Sequence, residues 1–358
     1  MRIAVLGGGN GSYAAAADLS EHGHEVRFWR RDAAAFRETL EAQAIDLEDF
    51  QGRRRIPLAL ATTDLAAAAA DAALIVIPTP AFAQEDIARA LAPHLRDGQV
   101  LFLPPGTFGS YVIARTLREA GCRAQVSIAE TGTLPWLTRK HGPNLVAITT
   151  RASRLPTGVF PGKRSASALE VIRAAFPSVE KCGDGLSGAL MNAGPIIHPP
   201  LIVMNAGPIE HFDKWDIHRE GTQPSIRRVT DVLDGERMAV REALGYGAPH
   251  FPLRDHYTSD RWMYGNLAHD KLVESGDWKE KLDLTRHRYM REDVGYGLTF
   301  LVSVCDWAGV PCPVARGLLA IGAAVTGEDY ANAPRTLRSL GLDRLSRAQM
   351  AALLREGL

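Results

Sequence analysis

The sequence predicts an α/β fold, with a doubly wound parallel sheet in the N-terminal half followed by a mostly α-helical second domain. Three observations support this prediction. Strand-like and helix-like segments alternate in the first half, a glycine-rich turn follows the first apolar run, and strand-like runs become rare after about residue 179. We place the domain boundary near Gly183-Asp184-Gly185, so that the two domains cover residues 1–183 and 184–358.

The predicted elements follow from apolar runs that stop at Gly or Pro and from segments with helical spacing. Short apolar runs are typical of buried strands in a parallel sheet, and they cover residues 2–6, 25–29, 74–77, 100–103 and 124–129. Helical spacing in the first domain covers residues 12–21, 32–44, 86–95 and 110–120. In the second domain it covers residues 225–244, 293–308, 314–325 and 340–358, and the last helix is a candidate for the contact in a homodimer.

Length and composition limit the classes of protein to which the chain can belong. With 358 residues, it exceeds the size at which a single core usually stops growing, so two domains are expected. The 41 basic and 41 acidic side chains cancel, which leaves no excess charge to drive binding to nucleic acid or to a membrane surface. We expect no membrane span, because no run of about 18 apolar residues occurs. Four widely spaced cysteines without a secretory signal favour the reducing cytoplasm.

The strongest local motif is the glycine-rich turn after the first predicted strand. Gly7 allows the tight turn, and Gly9 lets the backbone approach a pyrophosphate. Asn10, Gly11 and Ser12 open the following helix, whose N-terminal N–H groups and dipole favour phosphate groups. The motif predicts a Rossmann-like dinucleotide-binding domain, and a glycine-rich turn without a ligand is the alternative.

The residues after the second strand indicate which dinucleotide is preferred. An acidic residue there accepts hydrogen bonds from the adenosine ribose, whereas arginine suits a 2′-phosphate. Arg30 occupies the first position and Arg31 the second, so NADP is predicted as the preferred cofactor. In the alternative, both arginines are solvated and Asp32 contacts the ribose of NAD.

Three further loops are expected to reach the dinucleotide, because they follow strands whose carboxyl ends face it. Pro78 and Thr79 follow the third predicted strand, and Gly106 follows the fourth. Glu130 and Thr131 follow the fifth, where we expect Glu130 to contact the cofactor and Thr131 the substrate. Simple chain reversal or a plain loop is the alternative at these positions.

Candidate catalytic residues lie in two segments of the second domain, and we expect the active site in the cleft between the domains. His198 stands in an apolar stretch before two prolines, and an imidazole can transfer protons near neutral pH. Asp293 is able to orient that imidazole, and Arg288 is able to clamp a substrate carboxylate. The residues alone leave alternatives open, since His198 also fits a core position and residues 288–293 also fit a solvated helix start.

Five short motifs occur in a fixed order between residue 7 and about residue 298, and a Val-Pro-x-Pro segment follows at residues 310–313. They are Gly7-x-Gly9-Asn10-Gly11, Ala129-Glu130-Thr131-x-Thr133-Leu134-Pro135, Asn192 with His198-Pro199, Asp234-x-Glu236-Arg237, and Glu292-Asp293-Val294-x-Tyr296-Gly297-Leu298. Taken together, these motifs resemble the opine dehydrogenases, the octopine/nopaline dehydrogenase family.

The resemblance implies a fold, an activity and roles for particular residues. It implies an N-terminal Rossmann domain, a helical C-terminal domain and a catalytic His–Asp pair carried onto His198 and Asp293. Arg288 falls where the family places a carboxylate-binding arginine, and Asn192 is expected to contact substrate. The implied reaction is the NAD(P)H-dependent condensation of an amino acid with a 2-oxo acid, through an imine, to a secondary amine dicarboxylate.

Two other functions stay as alternatives, and no metal site is predicted. A 3-hydroxyacid or polyol-phosphate dehydrogenase has a similar build, but such enzymes commonly use a lysine near the nicotinamide, and residues 192–200 contain none. A non-catalytic NAD(P)-binding sensor is the other alternative. His and Asp side chains cluster at residues 211–218, but no H-E-x-x-H motif or cysteine pair supports a metal there.

Overall fold

The computed structural model describes residues 1–265 and 268–358. These residues form two compact units, namely Met1–Ala189 together with Ala352–Leu358, and Leu190–Ala351. The predicted fold class is confirmed, because the first unit contains a mostly parallel sheet with connecting helices and the second unit is mostly helical. The domain boundary after residue 183 stays a prediction. In the structure, Asp184 ends a strand, and the short helix that follows it belongs to the first unit.

The described strands of the first unit form two sheets. In chain order they are β1 Arg2–Leu6, β2 Glu25–Trp29, β3 Ala44–Asp49, β4 Gly52–Pro57, β5 Leu60–Thr62, β6 Leu74–Val76, β7 Val100–Leu103, β8 Ser127–Thr131, β9 Trp136–Lys140, β10 Leu145–Arg151, β11 Leu155–Phe160 and β12 Val179–Asp184. The larger sheet has the order β12-β11-β8-β7-β6-β1-β2-β5, and its pairs are parallel except for β11 against β8. Since β1 lies between β2 and β6, the strand order changes direction there, and doubly wound folds bind dinucleotides at this point.

Helices connect these strands. They are α1 Asn10–Glu21, α2 Arg37–Ala42, α3 Leu65–Ala69, α4 Gln84–Leu91, α5 Gly109–Glu119, α6 Ser165–Ala175 and α7 Gly185–Ala189. The alanines at residues 14–17 of α1 are fully buried, and their small side chains let the helix lie close to the sheet. The helix predicted at residues 32–44 is shorter in the structure. A 3₁₀ turn at Ala34–Phe36 precedes α2, and Gln43 ends it with a left-handed φ of 46°.

The smaller sheet has the order β4-β3-β10-β9 and was not predicted from the sequence. Ion pairs attach it to α1. Arg54 of β4 pairs with Glu21 and, at 2.7 Å, with Asp49, while Arg151 of β10 pairs with Asp49 at 2.8 Å and with Asp18 at 2.7 Å. These strands therefore carry charged residues in place of the alternating apolar residues by which a strand is recognised in a sequence.

The second unit consists mostly of helices. They are α8 Gly194–Met204, α9 Ala206–His211, α10 Pro224–Ala243, α11 Arg254–Thr258, α12 Ala268–Ser275, a π-helix at Tyr289–Leu298, α13 Thr299–Ala308 and α14 Pro313–Thr326. The last helix, α15 Arg347–Glu356, begins in this unit, and its residues from Ala352 onward belong to the first unit. Two short strands, β13 Trp215–Asp216 and β14 Lys279–Glu280, pair antiparallel. The helix predicted at residues 293–308 begins earlier, as the π-helix that α13 continues. Within the described ranges, no helix has the length and apolar character needed to cross a membrane.

Candidate active site and cofactor loop

The glycine-rich turn lies at the end of β1, where the strand order changes direction. The N–H of Gly7 donates to the carbonyl of Trp29 at 3.0 Å, which ties the turn to the end of β2. Gly7 has a φ of +129°, and a Cβ there would lie 2.6 Å from Ser12 Oγ and 2.9 Å from Thr79 Cγ2. Both the backbone conformation and the available space therefore require glycine at this position.

Beside this turn, the structure leaves two hydroxyl groups without partners. The side-chain oxygens of Ser12 and Thr79 are buried and make no hydrogen bond within residues 1–265 and 268–358. A Cβ on Gly9 would meet no atom within 4 Å, so the backbone is open to a ligand there. Buried hydroxyls in folded proteins nearly always have a hydrogen-bond partner. The residues present therefore fit a dinucleotide, whose pyrophosphate supplies acceptors beside the N-terminus of α1.

Asn10 and Gly11 fix the start of α1. Oδ1 of Asn10 accepts a hydrogen bond from the backbone N–H of Lys140 in β9, at 3.1 Å. A Cβ on Gly11 would lie 2.7 Å from Leu134 Cδ1 and 3.3 Å from Pro78 Cβ, so glycine lets both residues approach the helix. The cofactor contacts predicted for Asn10, Gly11 and Pro78 stay predictions.

Arg30 lies across the glycine-rich turn. A Cβ on Gly8 would fall 2.5 Å from Arg30 Nε, and Arg30 Nη1 donates to the carbonyl of Ala35 at 2.8 Å. Asp32, the alternative ribose ligand, accepts a hydrogen bond from the N–H of Ala35 at 3.1 Å. Arg31 is exposed. Of the three residues after β2, Arg30 is thus the one whose side chain reaches the turn.

The position of Glu130 differs from the prediction. The strand predicted at residues 124–129 lies instead at Ser127–Thr131, so Glu130 is inside β8 and not in a loop after it. Its fully buried carboxylate accepts hydrogen bonds from the N–H of Phe108 at 2.8 Å, the N–H of Ser110 at 3.1 Å and the Ser110 hydroxyl. A Cβ on Gly106 would lie 2.3 Å from Glu130 Oε2. Glu130 therefore stabilises the start of α5, and direct cofactor contacts of Glu130 and Gly106 stay predictions.

Thr131 and Asn192, both predicted to contact substrate, each use a side-chain oxygen within their own unit. The Thr131 hydroxyl donates to the carbonyl of Pro156 at 2.8 Å. Oδ1 of Asn192 accepts from the N–H of Gly194 at 3.0 Å, at the first residue of α8. Their contacts with substrate stay predictions.

The second unit joins His198 to Asp293. His198 Nδ1 lies 2.8 Å from Asp293 Oδ2, and the two side chains are 13% and 9% exposed. The residues stand 95 positions apart in sequence and meet because α8 packs against the π-helix. The carboxylate fixes the orientation and tautomer of the imidazole, so that Nε2 is the nitrogen able to exchange a proton with a ligand. Among the described residues, His198 Nε2 has no hydrogen-bond partner.

Two glycines allow α8 and the π-helix to approach closely enough for this bond. A Cβ on Gly194 would lie 2.2 Å from Asp293 Oδ1, and a Cβ on Gly297 would lie 2.2 Å from Pro195 Cγ. Real Cβ contacts are essentially never shorter than 3.0 Å. A side chain at Gly194 would therefore displace the Asp293 carboxylate, and one at Gly297 would displace the Pro195 ring, unless the two helices moved apart.

Tyr289 supports the face of the His198 ring. The two rings are stacked, with centroids 3.6 Å apart and planes at 8°. The Tyr289 hydroxyl lies 2.8 Å from His218 Nε2, and the N–H of His218 donates to Asp216 Oδ1 at 3.0 Å. The imidazole of His198 is thus held at its edge by Asp293 and at its face by Tyr289.

Arg288 lies beside this group and is exposed. Its guanidinium carbon is 5.4 Å from the centroid of the Tyr289 ring, within the range of a cation–π contact. In the part of the chain that the structure describes, Arg288 makes no ion pair with a carboxylate. Its guanidinium is therefore available to bind the carboxylate of a ligand with two parallel hydrogen bonds. Of the predicted site residues, the structure brings together His198, Asp293 and, through Tyr289, Arg288.

The roles of Tyr289 and His218 were not predicted from the sequence. Tyr289 lies four residues before Asp293, but sequence does not show that its ring meets an imidazole on another helix. His218 belongs to the cluster of His and Asp side chains at residues 211–218, a pattern that suggests a metal site and not a contact with a tyrosine. In residues 1–265 and 268–358, no group of three or more His, Cys, Asp or Glu side chains is placed to hold a metal ion.

The motif Asp234-x-Glu236-Arg237 holds helices together. Arg237 Nε donates to Asp234 Oδ1 at 2.6 Å, and both side chains are almost fully buried. The Glu236 carboxylate accepts hydrogen bonds from the N–H groups of Val314 and Ala315, at 2.7 and 2.9 Å, where α14 begins. The motif therefore joins α10 to the start of α14.

Comparisons with known proteins agree with the two-part organisation. Residues 181–326 match the family model described as NAD/NADP octopine/nopaline dehydrogenase, alpha-helical domain. Residues 2–104 match the model described as NAD-dependent glycerol-3-phosphate dehydrogenase N-terminus. An opine dehydrogenase of Arthrobacter sp. (strain 1C) is 29% identical over 353 residues, which cover 96% of each chain.

Solved structures share the fold along nearly the whole chain. The structure of an octopine dehydrogenase with NADH and L-arginine has a TM-score of 0.73 and 18% identity, and covers 99% of this chain and 98% of its own. The structure of a yersinopine dehydrogenase with NADP⁺ bound has a TM-score of 0.66 and 16% identity, with the same coverage.

Proposed function

The helical domain, residues 181–326, belongs to the octopine/nopaline dehydrogenase family, and on this premise we propose that the chain is an opine dehydrogenase. It condenses an amino acid with a 2-oxo acid and reduces the imine to a secondary amine dicarboxylate, and it catalyses the reverse oxidation. The predicted class, an NAD(P)-dependent oxidoreductase acting on CH–NH bonds, is confirmed. The observation that carries the proposal is the hydrogen bond between His198 and Asp293, with Arg288 close by.

Arg288 positions the substrate. Addition of the amine to the carbonyl carbon and loss of water give an imine that carries two carboxylates. The exposed guanidinium of Arg288 binds one carboxylate through two N–H groups, which fixes the orientation of the imine carbon. Bound NAD(P)H supplies the hydride that this carbon accepts.

His198 moves the proton that accompanies loss of water. Its Nδ1–H donates to Asp293, so Nε2 is the nitrogen that gives a proton to the carbinolamine oxygen as that oxygen leaves as water. In the reverse direction, Nε2 takes the proton back. Asp293 stabilises the cationic form of the imidazole, and stacking on Tyr289 keeps the ring in one plane.

The finer choice of cofactor is NADPH, with NADH as the alternative. The support for this choice is the position of Arg30 after β2 and its close approach to Gly8. We expect Arg30→Asp to weaken NADPH binding by about 1.5–3 kcal/mol, the scale of hydrogen bonds to charged groups. Titration of wild type and variant with both dinucleotides measures the effect, and an unchanged NADPH/NADH ratio removes Arg30 from the site.

The decisive experiment measures NADH and NADPH oxidation across a matrix of amino acids against pyruvate, glyoxylate, oxaloacetate and 2-oxoglutarate. Omission of the amine is the essential control. Oxidation by the 2-oxo acid alone would favour the 3-hydroxyacid or polyol-phosphate dehydrogenase alternative. Dinucleotide binding without turnover of any pair would support the non-catalytic sensor. The homodimer and the cytoplasmic location stay predictions.

A further inference from the structure

Lys140, the last residue of β9, contacts the start of α1 through both its backbone and its side-chain ammonium group. Its backbone N–H donates to Asn10 Oδ1 at 3.1 Å. Its Nζ lies 3.4 Å from the centroid of the Tyr13 ring, which is fully buried one turn further along α1. The ammonium group is therefore held beside the glycine-rich turn by a cation–π contact.

A second cation faces the same region. The side chain of Arg30 lies over Gly8, and its hydrogen bond goes to the neutral carbonyl of Ala35. Burial and the positive charge of Arg30 lower the pKa of Lys140 to about 8, and the charge of Glu38 opposes this shift. Within residues 1–265 and 268–358, Lys140 has no carboxylate at ion-pair distance.

Two neighbouring cations repel each other in the free protein, and neither Arg30 nor Lys140 forms an ion pair with a carboxylate of the described residues. An anion that binds both groups removes this repulsion, and its attraction offsets the free energy lost when the Lys140 ammonium is buried. In Rossmann-like domains, the residue after β2 contacts the 2′-position of the adenosine ribose. An anion that binds both Arg30 and Lys140 would therefore be a group at this 2′-position. The pyrophosphate, in contrast, lies at the N–H groups that open α1.

We propose that Lys140 is a specificity-determining residue that binds, together with Arg30, the 2′-phosphate of NADP(H). The inference rests on the proposed function, because it assumes that the first unit binds a dinucleotide. Arg30 supplies a planar fork of donors and Lys140 a compact point charge, so a dianionic phosphate is bound from two sides. The ribose of NADH presents a neutral hydroxyl there, which gains little from either charge.

The arrangement makes NADPH binding dependent on pH. In the free enzyme Lys140 loses its proton near pH 8, and a bound phosphate raises its pKa again. Above about pH 8, NADPH binding therefore takes up a proton and weakens by up to about tenfold per pH unit. The other charges that act on Lys140 are those of Arg30 and Glu38. NADH binding is expected to change little.

The test compares the Kd values of NADPH and NADH, by fluorescence titration of the full chain at pH 7.5 and pH 9, in wild type, Lys140→Met and Lys140→Arg. Lys181→Met, an exposed lysine on β12 of the same unit, is the control. We expect Lys140→Met to weaken NADPH by roughly tenfold or more and to lose the pH dependence, with NADH within about twofold. Lys140→Arg should keep part of the preference but not the pH dependence, because arginine stays charged.

Competition with 2′,5′-ADP and 5′-AMP separates the two phosphate positions. Lys140→Met should weaken 2′,5′-ADP and leave 5′-AMP unchanged. Equal weakening of both probes, or of both dinucleotides, would overturn the inference and place Lys140 at the pyrophosphate or in the fold. A wild type that prefers NADH, or a variant with an unchanged ratio, would overturn it while the proposed function stands. Failure of wild type to bind either dinucleotide would reject the proposed function itself.

Discussion

Replacing Gly194 by alanine should separate the His198–Asp293 pair without removing either side chain. The new Cβ would lie 2.2 Å from Asp293 Oδ1, and real Cβ contacts are essentially never below 3.0 Å, so the two atoms must move apart by about 0.8 Å. A misplacement of about 1 Å at a reacting group costs on the order of 10²-fold in rate. We therefore expect kcat to fall about 10²-fold, with the Kd of NAD(P)H unchanged.

The chain itself supplies a matched control. The sequence Asn-Ala-Gly-Pro-Ile at residues 192–196 recurs at residues 205–209, and each glycine lies in the first turn of a helix, α8 or α9. A Cβ on Gly207 would meet no atom within 4 Å, so Gly207→Ala makes the same chemical change in open space. Alanine has the higher helix propensity, so the control should be at least as stable as wild type.

Steady-state oxidation of NAD(P)H at saturating substrate gives kcat for both variants, and thermal unfolding gives Tm. The expected result is a large loss of kcat in Gly194→Ala and none in Gly207→Ala, with cofactor titrations alike in both. A Gly194→Ala enzyme with kcat within about twofold of the control would refute the reasoning, because the contact at Asp293 would then have no bearing on proton transfer. Loss of cofactor binding in Gly194→Ala would indicate a general folding defect instead.

Three further predictions concern the same units. His198→Ala should lower kcat by about 10²–10⁴-fold, and Asp293→Asn should lower it by a similar factor. The kcat of the double variant should be little lower than that of His198→Ala, and additive losses would contradict a single proton-transfer unit. Arg288→Lys should raise KM for one substrate, because the planar fork of the guanidinium is lost. Arg286→Lys, at an exposed position, should leave KM unchanged. If Arg288→Lys also weakened cofactor binding, the residue would have a role in folding instead. Burial raises the pKa of Asp49, but hydrogen bonds from two arginines outweigh burial and hold that pKa below its usual range. The stability from ionised Asp49 is thus present above its unfolded pKa of about 3.9 and lost as pH falls through the folded value. Asp49→Asn should lower the urea-derived free energy of unfolding at pH 7 by about 1.5–3 kcal/mol and flatten its acid dependence; an unchanged pH profile would contradict this.

The larger sheet could be predicted because its strands carry their own signal. Short runs such as Val100–Leu103 are entirely apolar and fully buried, and glycine or proline follows them closely. The smaller sheet carried no such signal. Strand Gly52–Pro57 contains three consecutive arginines, and Arg54 is accommodated only because Glu21 and Asp49 meet it in the fold. A strand held by ion pairs between distant segments cannot be recognised from local hydrophobic periodicity.

In the candidate site, too, some residues could be predicted from the sequence and others could not. His198 and Asp293 were candidates from their own segments, but the resemblance to a family was needed to choose them as a pair, since residues 95 positions apart share no local pattern. Tyr289 was missed because ring stacking depends on how α8 meets the π-helix. Lys140 was missed because it belongs to a strand of the unpredicted sheet, although its charge and position are plain in the sequence. Charged and aromatic residues that act through tertiary contacts therefore need the fold before their roles can be assigned.

Because the segment Tyr289–Leu298 is π-helical, the site depends on the number of residues in this segment as well as on their identity. Residues five apart stand about 140° apart around an α-helix, whereas π-helical i→i+5 hydrogen bonds place such residues on the same face. Arg288, just before the segment, and Asp293 are five apart. Deleting one residue between them would rotate the carboxylate away from His198 even if every remaining side chain were kept. Libraries made to change substrate range should therefore vary composition here and exclude insertions and deletions.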